Sequence, residues 1–105
     1  MLTRSAKNKG VRLQNWVAFY FRGLGWKCRP AIMGETGEDI KFTEGDPPWS
    51  VETKNQESLN LWKAWEQTAG RAKTYQIPVL FIKRNRQEPL VVIQADYFFD
   101  LIGKK

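Results

Sequence analysis

Apolar and polar positions change their period along this chain, and the changes divide it into elements. Between residues 10 and 24, Val11, Leu13, Val17, Phe19, Tyr20, Phe21 and Leu24 recur mostly three or four apart, with Trp16 filling the stripe. That spacing predicts an amphipathic helix, stopped by Gly23 and Gly25. Residues 26–29 alternate up to Pro30 and predict a short edge strand, and the glycine-bearing stretch 31–37 reads as a loop. From 38 to 43 the period is two, with Ile40 and Phe42 on one face and Asp39 and Lys41 on the other. Glu44, Gly45, Asp46, Pro47 and Pro48 form a turn, after which 49–56 resumes the alternation. Trp49, Val51 and Thr53 fall on one side, and Ser50, Glu52, Lys54 and Gln56 on the other. These two strands are expected to pair as a hairpin.

Helical spacing returns at Leu59, Leu61, Trp62, Trp65, Ala69, Ala72 and Tyr75, ending near residue 76, with Ser58 as the expected N-cap. Trp62 and Trp65 lie on this stripe and are assigned to the core; Trp16 and Trp49 are open between core and surface. Gly70 is expected to mark a close approach to the sheet. Pro78 follows, then a continuous apolar run at 79–82, as in a strand covered on both faces. A basic turn at 83–89 leads to a second apolar strand at 90–93, and these two strands predict a hairpin. Asp96 is a candidate cap for a last helix, 97–102, before a short tail at 103–105. Residues 1–9 hold Arg4, Lys7 and Lys9 without an acidic residue and read as a mobile basic lead-in. The expected fold is a single α/β domain over residues 1–105, a mixed β-sheet flanked by helices in the order αβββαββα.

Composition narrows the chemistry. At 105 residues, 42% hydrophobic and 13% aromatic, the chain has one modest core and is not disordered. A net charge of +6 favours a polyanionic partner, with nucleic acid first and an acidic membrane surface second. The chain has no histidine and a single cysteine, Cys28, which excludes an intrachain disulfide, the usual zinc sites and histidine-dependent triads. Any catalysis must rest on carboxylates, lysine, hydroxyls or a hard metal. No apolar run approaches the ~20 residues that span a bilayer, and the N-terminus lacks a signal-type segment, so a soluble, cytoplasmic protein is expected.

The stretch 34–56 concentrates the candidate chemistry. Glu52 and Lys54 emerge from one strand face about 6.6 Å apart along the chain, and Asp39 meets them if the hairpin register places it opposite. Two converging carboxylates can coordinate magnesium, which usually keeps several waters. Lys54 can orient or deprotonate a water, or offset charge developing on a phosphate; the residues do not choose among these roles. The same spacing also occurs on the solvated face of an ordinary hairpin. Lys7, Lys9 and Arg12 at one end, and Lys83, Arg84 and Arg86 at the other, can track phosphates, contributing affinity rather than sequence readout. Lys63, Arg71 and Lys73 read as the wet face of the second helix.

Glu38-Asp39, a variable turn, then Glu52-Thr53-Lys54 resembles the signature of the PD-(D/E)xK (restriction-endonuclease-like) nucleases, and the element order is similar to the core of that superfamily over about residues 9–93. Within it the likeness is to archaeal-type Holliday junction resolvases and small phage endonucleases: Lys9-Gly10-Val11-Arg12-Leu13 leads to Gln14, where the resolvases carry a metal-associated glutamate. The resemblance implies a homodimeric, nucleoid- or phage-associated DNA endonuclease that cuts branched DNA. It implies Asp39 and Glu52 as ligands of magnesium, with manganese able to substitute, Lys54 as the catalytic lysine, and no other small-molecule cofactor. Two departures stand out: Glu38 replaces the proline before the aspartate, and Gln14 offers one neutral oxygen where a carboxylate is expected. Glu35 or Glu38 can supply the missing charge, and Gln56 can reach substrate.

Overall fold

The computed structural model describes residues 4–104. Its elements run α1 (Arg4–Gly23), β1 (Cys28–Pro30), β2 (Ile40–Phe42), β3 (Trp49–Asn55), α2 (Leu61–Arg71), β4 (Ile77–Lys83), β5 (Leu90–Val92) and α3 (Ala95–Ile102). The protein is an α/β fold with three helices and two small sheets, one of two strands (β1–β2) and one of three (β3–β4–β5). β3 and β4 are parallel, with α2 as their crossover, and β5 returns antiparallel to β4 in the expected hairpin. No helix among the described residues is long and apolar enough to cross a membrane.

The core lies between α1 and the inward face of both sheets. Leu13, Val17 and Ala18 of α1 pack against Cys28, Ile40, Val51 and Val79, all buried. Phe21, Trp26, Phe42 and Trp49 close one end with ring contacts of 5.0–6.3 Å between centroids. The Trp49 indole donates to the Tyr97 hydroxyl at 2.7 Å, which anchors α3 to the start of β3.

Several expectations are corrected. Residues 4–9 are not a mobile lead-in but the first turns of α1, because Arg, Ala and Lys favour a helix once Leu13 and Val17 anchor it; residues 1–3 lie outside the described residues, as does Lys105 of the expected tail. The hairpin between β2 and β3 does not form. β2 pairs instead with β1, extended by bonds from Ala31 N to Asp39 O (2.7 Å) and from Thr43 N to Lys27 O (2.9 Å). Pro47 and Pro48 lack the N–H groups a ladder entering β3 would need, and one backbone bond, Asp39 N to Val51 O at 3.0 Å, ties the residue before β2 to β3. The single mixed sheet is thereby split in two.

The second helix is shorter than its apolar stripe. Asn60, not Ser58, caps it, its side chain accepting from Lys63 N at 3.1 Å, and it ends at Arg71. Ala64 and Thr68 are its buried positions, while Trp62 is 75% exposed. Small residues let the helix sit close on the sheet and turn the bulky ones outward. Gly70 faces open space rather than the sheet. The last helix begins at Ala95 with Gln94 as its cap residue, and Asp96 sits in the first turn.

Candidate functional site

The end of the β2 ladder at Asp39 creates the site. Beyond that residue Thr53 N has no ladder carbonyl to bond, and Asp39 Oδ2 takes that place, accepting from Thr53 N at 2.7 Å and Thr53 Oγ1 at 3.3 Å. The Asp39 peptide is fixed as well, its N–H on Val51 and its carbonyl on Ala31. Asp39 therefore stands rigidly beside β3 although no hairpin holds it there.

The alternation of β3 places Val51 in the core under α1 and turns Glu52 to the α2 side, where it is 4% exposed beside fully buried Leu80. Arg71 reaches it from the last turn of α2: Nη1 donates to Glu52 Oε1 at 2.7 Å and to the Gly37 carbonyl at 3.2 Å. Held on Thr53 N, the Asp39 carboxyl lies near enough to Glu52 for its charge to act on it. Burial first, and then the Asp39 charge, push Glu52 up to about 7 from an ordinary 4.5, against the opposing pull of Arg71. Arg71 is itself raised, chiefly by its bond to Glu52. Of the two neighbouring carboxyls, Glu52 alone takes the guanidinium while Asp39 takes Thr53, and the deeper of them, Glu52, retains a proton near neutrality.

Lys54 follows on the same face and is half-buried, lining a cavity of about 220 Å³ with Asn60, Lys63 and Gln67 of the α2 region and with Gln56. The structure thus brings Asp39 and Glu52 together with Lys54 one strand step beyond. The accessory carboxylates are paired with other cations. Glu35 is tied to Arg29 by two bonds of 2.9 Å and accepts from Ile32 N, contacts that hold its carboxyl down at about 2. Glu38 pairs with Lys41 at 3.5 Å. Gln14 is half-buried on α1, and the Gln56 backbone N–H bonds Lys83 O while its residue is exposed. Among the described residues no group of three or more His, Cys, Asp or Glu side chains gathers as a metal site.

Arg71 is the site residue that sequence reasoning passed over as wet helix surface. Its signal was present: Ala64, Thr68 and Arg71 are spaced four and three apart, which puts the arginine on the small-residue stripe that faces the sheet.

Four of the basic residues meet elsewhere. Lys9 and Arg12 of α1 and Lys83 and Arg86 at the β4–β5 turn line one cleft of about 480 Å³, although the chain separates the two pairs by some seventy positions. Arg84 lines a different cavity, of about 280 Å³, and Lys7 is exposed on α1. Comparison of the chain with protein-family models, with curated proteins and with solved structures finds no match.

Proposed function

We propose that this chain is a metal-dependent DNA endonuclease with a restriction-endonuclease-like core, hydrolysing phosphodiester bonds with Asp39 and Glu52 as ligands of magnesium or manganese. The observation that carries this reading is the convergence of those two carboxyls, one of them buried and driven to hold a proton near pH 7. A cation that replaced the proton would relieve the same repulsion, and magnesium commonly takes one or two protein carboxylates, filling its other positions with waters and substrate phosphate. The donor set therefore fits. Bound there, magnesium supplies the Lewis acidity that phosphodiester hydrolysis needs. Asp39 is oriented by Thr53 and Glu52 by Arg71, so neither carboxyl has to be ordered when substrate arrives. Lys54, on the same strand face, is placed to offset charge on the scissile phosphate or to take a proton from the attacking water.

A homodimer agrees with the apolar residues left outside: Phe98, Phe99, Leu101 and Ile102 of α3 are all 46–64% exposed, and no residue of that helix is buried.

A second reading, a non-catalytic nucleic-acid-binding module on the same fold, is favoured by one observation. Arg71 already occupies Glu52 Oε1, and no third acidic ligand joins the pair among the described residues. Calorimetric titration with magnesium and manganese separates the two. Binding that is lost in Glu52→Gln supports the nuclease; no heat with or without DNA supports the module.

A further inference from the structure

We propose that the cleft between α1 and the β4–β5 turn seats an unpaired strand of nucleic acid, with its phosphates on Arg12, Arg86, Lys9 and Lys83 and a base against Trp16. The inference rests on the nuclease reading for taking the polyanion to be DNA, and it specifies the substrate as one with a single-stranded segment.

The cleft lies at the carboxyl ends of β3 and β4, the one parallel pair among the described strands, where open α/β sheets commonly bind ligands. Its charge is poorly compensated. Among the described residues neither Arg12 nor Arg86 has an ion-pair partner, and Lys9 meets Glu57 only at 3.9 Å. The Lys83 ammonium donates to the Arg84 carbonyl at 3.1 Å and has no ion-pair partner among the described residues. Against these four cations the wall offers one carboxylate, Glu88. Unpaired guanidiniums facing a cleft of about 480 Å³ suit phosphate oxygens, which they can bind two at a time. The turn that carries Arg86 is braced, since Asn85 N donates to Glu57 Oε2 at 2.6 Å.

The aromatic wall decides between duplex and single strand. Trp16 borders the cleft and is 39% exposed, and its ring lies 4.5 Å from that of Tyr20, itself 54% exposed. The two continue into an adjoining groove of about 240 Å³ lined by Val17, Leu24 and Phe81, with no polar surface. A paired base has both faces stacked and cannot use such a wall. An unpaired base can, and aromatic platforms beside a cationic track are how proteins hold single strands.

The test is fluorescence anisotropy of a labelled oligothymidylate of about 15 nucleotides, titrated with the full chain in EDTA beside a duplex of equal length. The expected result is tighter binding of the single strand, with a log–log salt slope of about −3 from four phosphate contacts. Combined Arg12→Glu and Arg86→Glu should weaken it roughly a hundredfold. Trp16→Ala should weaken it roughly tenfold, and Trp16→Phe should restore part of that loss. Duplex bound at least as tightly as the single strand, a salt slope near zero, or a charge-reversed variant that folds and binds as wild type would each overturn the proposal. EDTA removes cleavage from the readout. A chain that binds the strand through the cleft but never cuts DNA in magnesium therefore confirms the cleft while overturning the nuclease.

Discussion

Arg71 holds Glu52 from the far end of the crossover helix: one Nη1 donates to the carboxylate at 2.7 Å and to the Gly37 carbonyl at 3.2 Å. The contact ties the loop before β2 to the middle of β3, adding to the bonds by which Thr53 and Val51 hold Asp39 beside Glu52. Removing it should cost stability and geometry together. Because the guanidinium is half exposed, the stability loss expected for Arg71→Ala is about 1–2 kcal/mol, well below that of a fully buried pair. Urea denaturation measures it, and Arg71→Lys should recover part of it, since one ammonium nitrogen can donate to both acceptors as Nη1 does.

Glu52 sets a pH dependence whose sign follows from its protons. Below 4.5 folded and unfolded chains both hold the Glu52 proton, and above about 7 neither does. Between those values only the folded chain keeps it, so the contribution of this group to stability falls as pH rises through the window. Denaturation midpoints of Glu52→Gln, compared with wild type across that range, should show this fall removed. Parallel profiles would mean that Glu52 ionises in the folded chain as it does in water.

The two jobs of the Asp39 carboxyl can be separated. Asp39→Ala leaves Thr53 N, in a buried stretch of β3, without its acceptor, at an expected cost of about 1–3 kcal/mol. Asp39→Asn retains an acceptor oxygen and should fold near wild-type stability, yet lose magnesium affinity because the charge is gone. Thermal melts with and without magnesium distinguish the variants: the ion should raise the wild-type midpoint and leave that of Asp39→Asn unmoved.

Glu35 belongs to its own loop. Its carboxyl is held near 2 by Arg29 and Ile32, so its stabilising contribution is present above 4.5 and fades as pH falls toward 2. Glu35→Gln should loosen the 32–35 turn, seen as faster amide exchange at Ile32, while magnesium affinity stays as in wild type. A drop in that affinity would place Glu35 in the ligand set after all.

Strand alternation was enough to read Glu52 and Lys54 onto one face of β3 and Val51 onto the other, because a period of two survives any choice of neighbour. The β4–β5 hairpin was legible for a similar reason, two apolar runs around a polar turn. Pairing between strands was harder to read. The turn at 44–48 looked like a hairpin by length, whereas its prolines withhold the donors that would have closed one. In α2 the large side chains set the phase that was read, but packing followed Ala64 and Thr68, which turned Trp62 outward and Arg71 inward. The basic cleft joins residues about seventy positions apart and has no local signature.

Cleavage tests the central claim most directly. Wild type, Asp39→Asn and Lys54→Ala are incubated with branched, single-stranded and duplex DNA in magnesium or manganese, and the products are resolved on denaturing gels. The expected result is metal-dependent nicking by wild type, most readily where a strand is unpaired, and its loss in both variants while DNA binding is retained. Wild type that leaves every substrate intact, or an Asp39→Asn variant that cuts at the wild-type rate, would contradict the account.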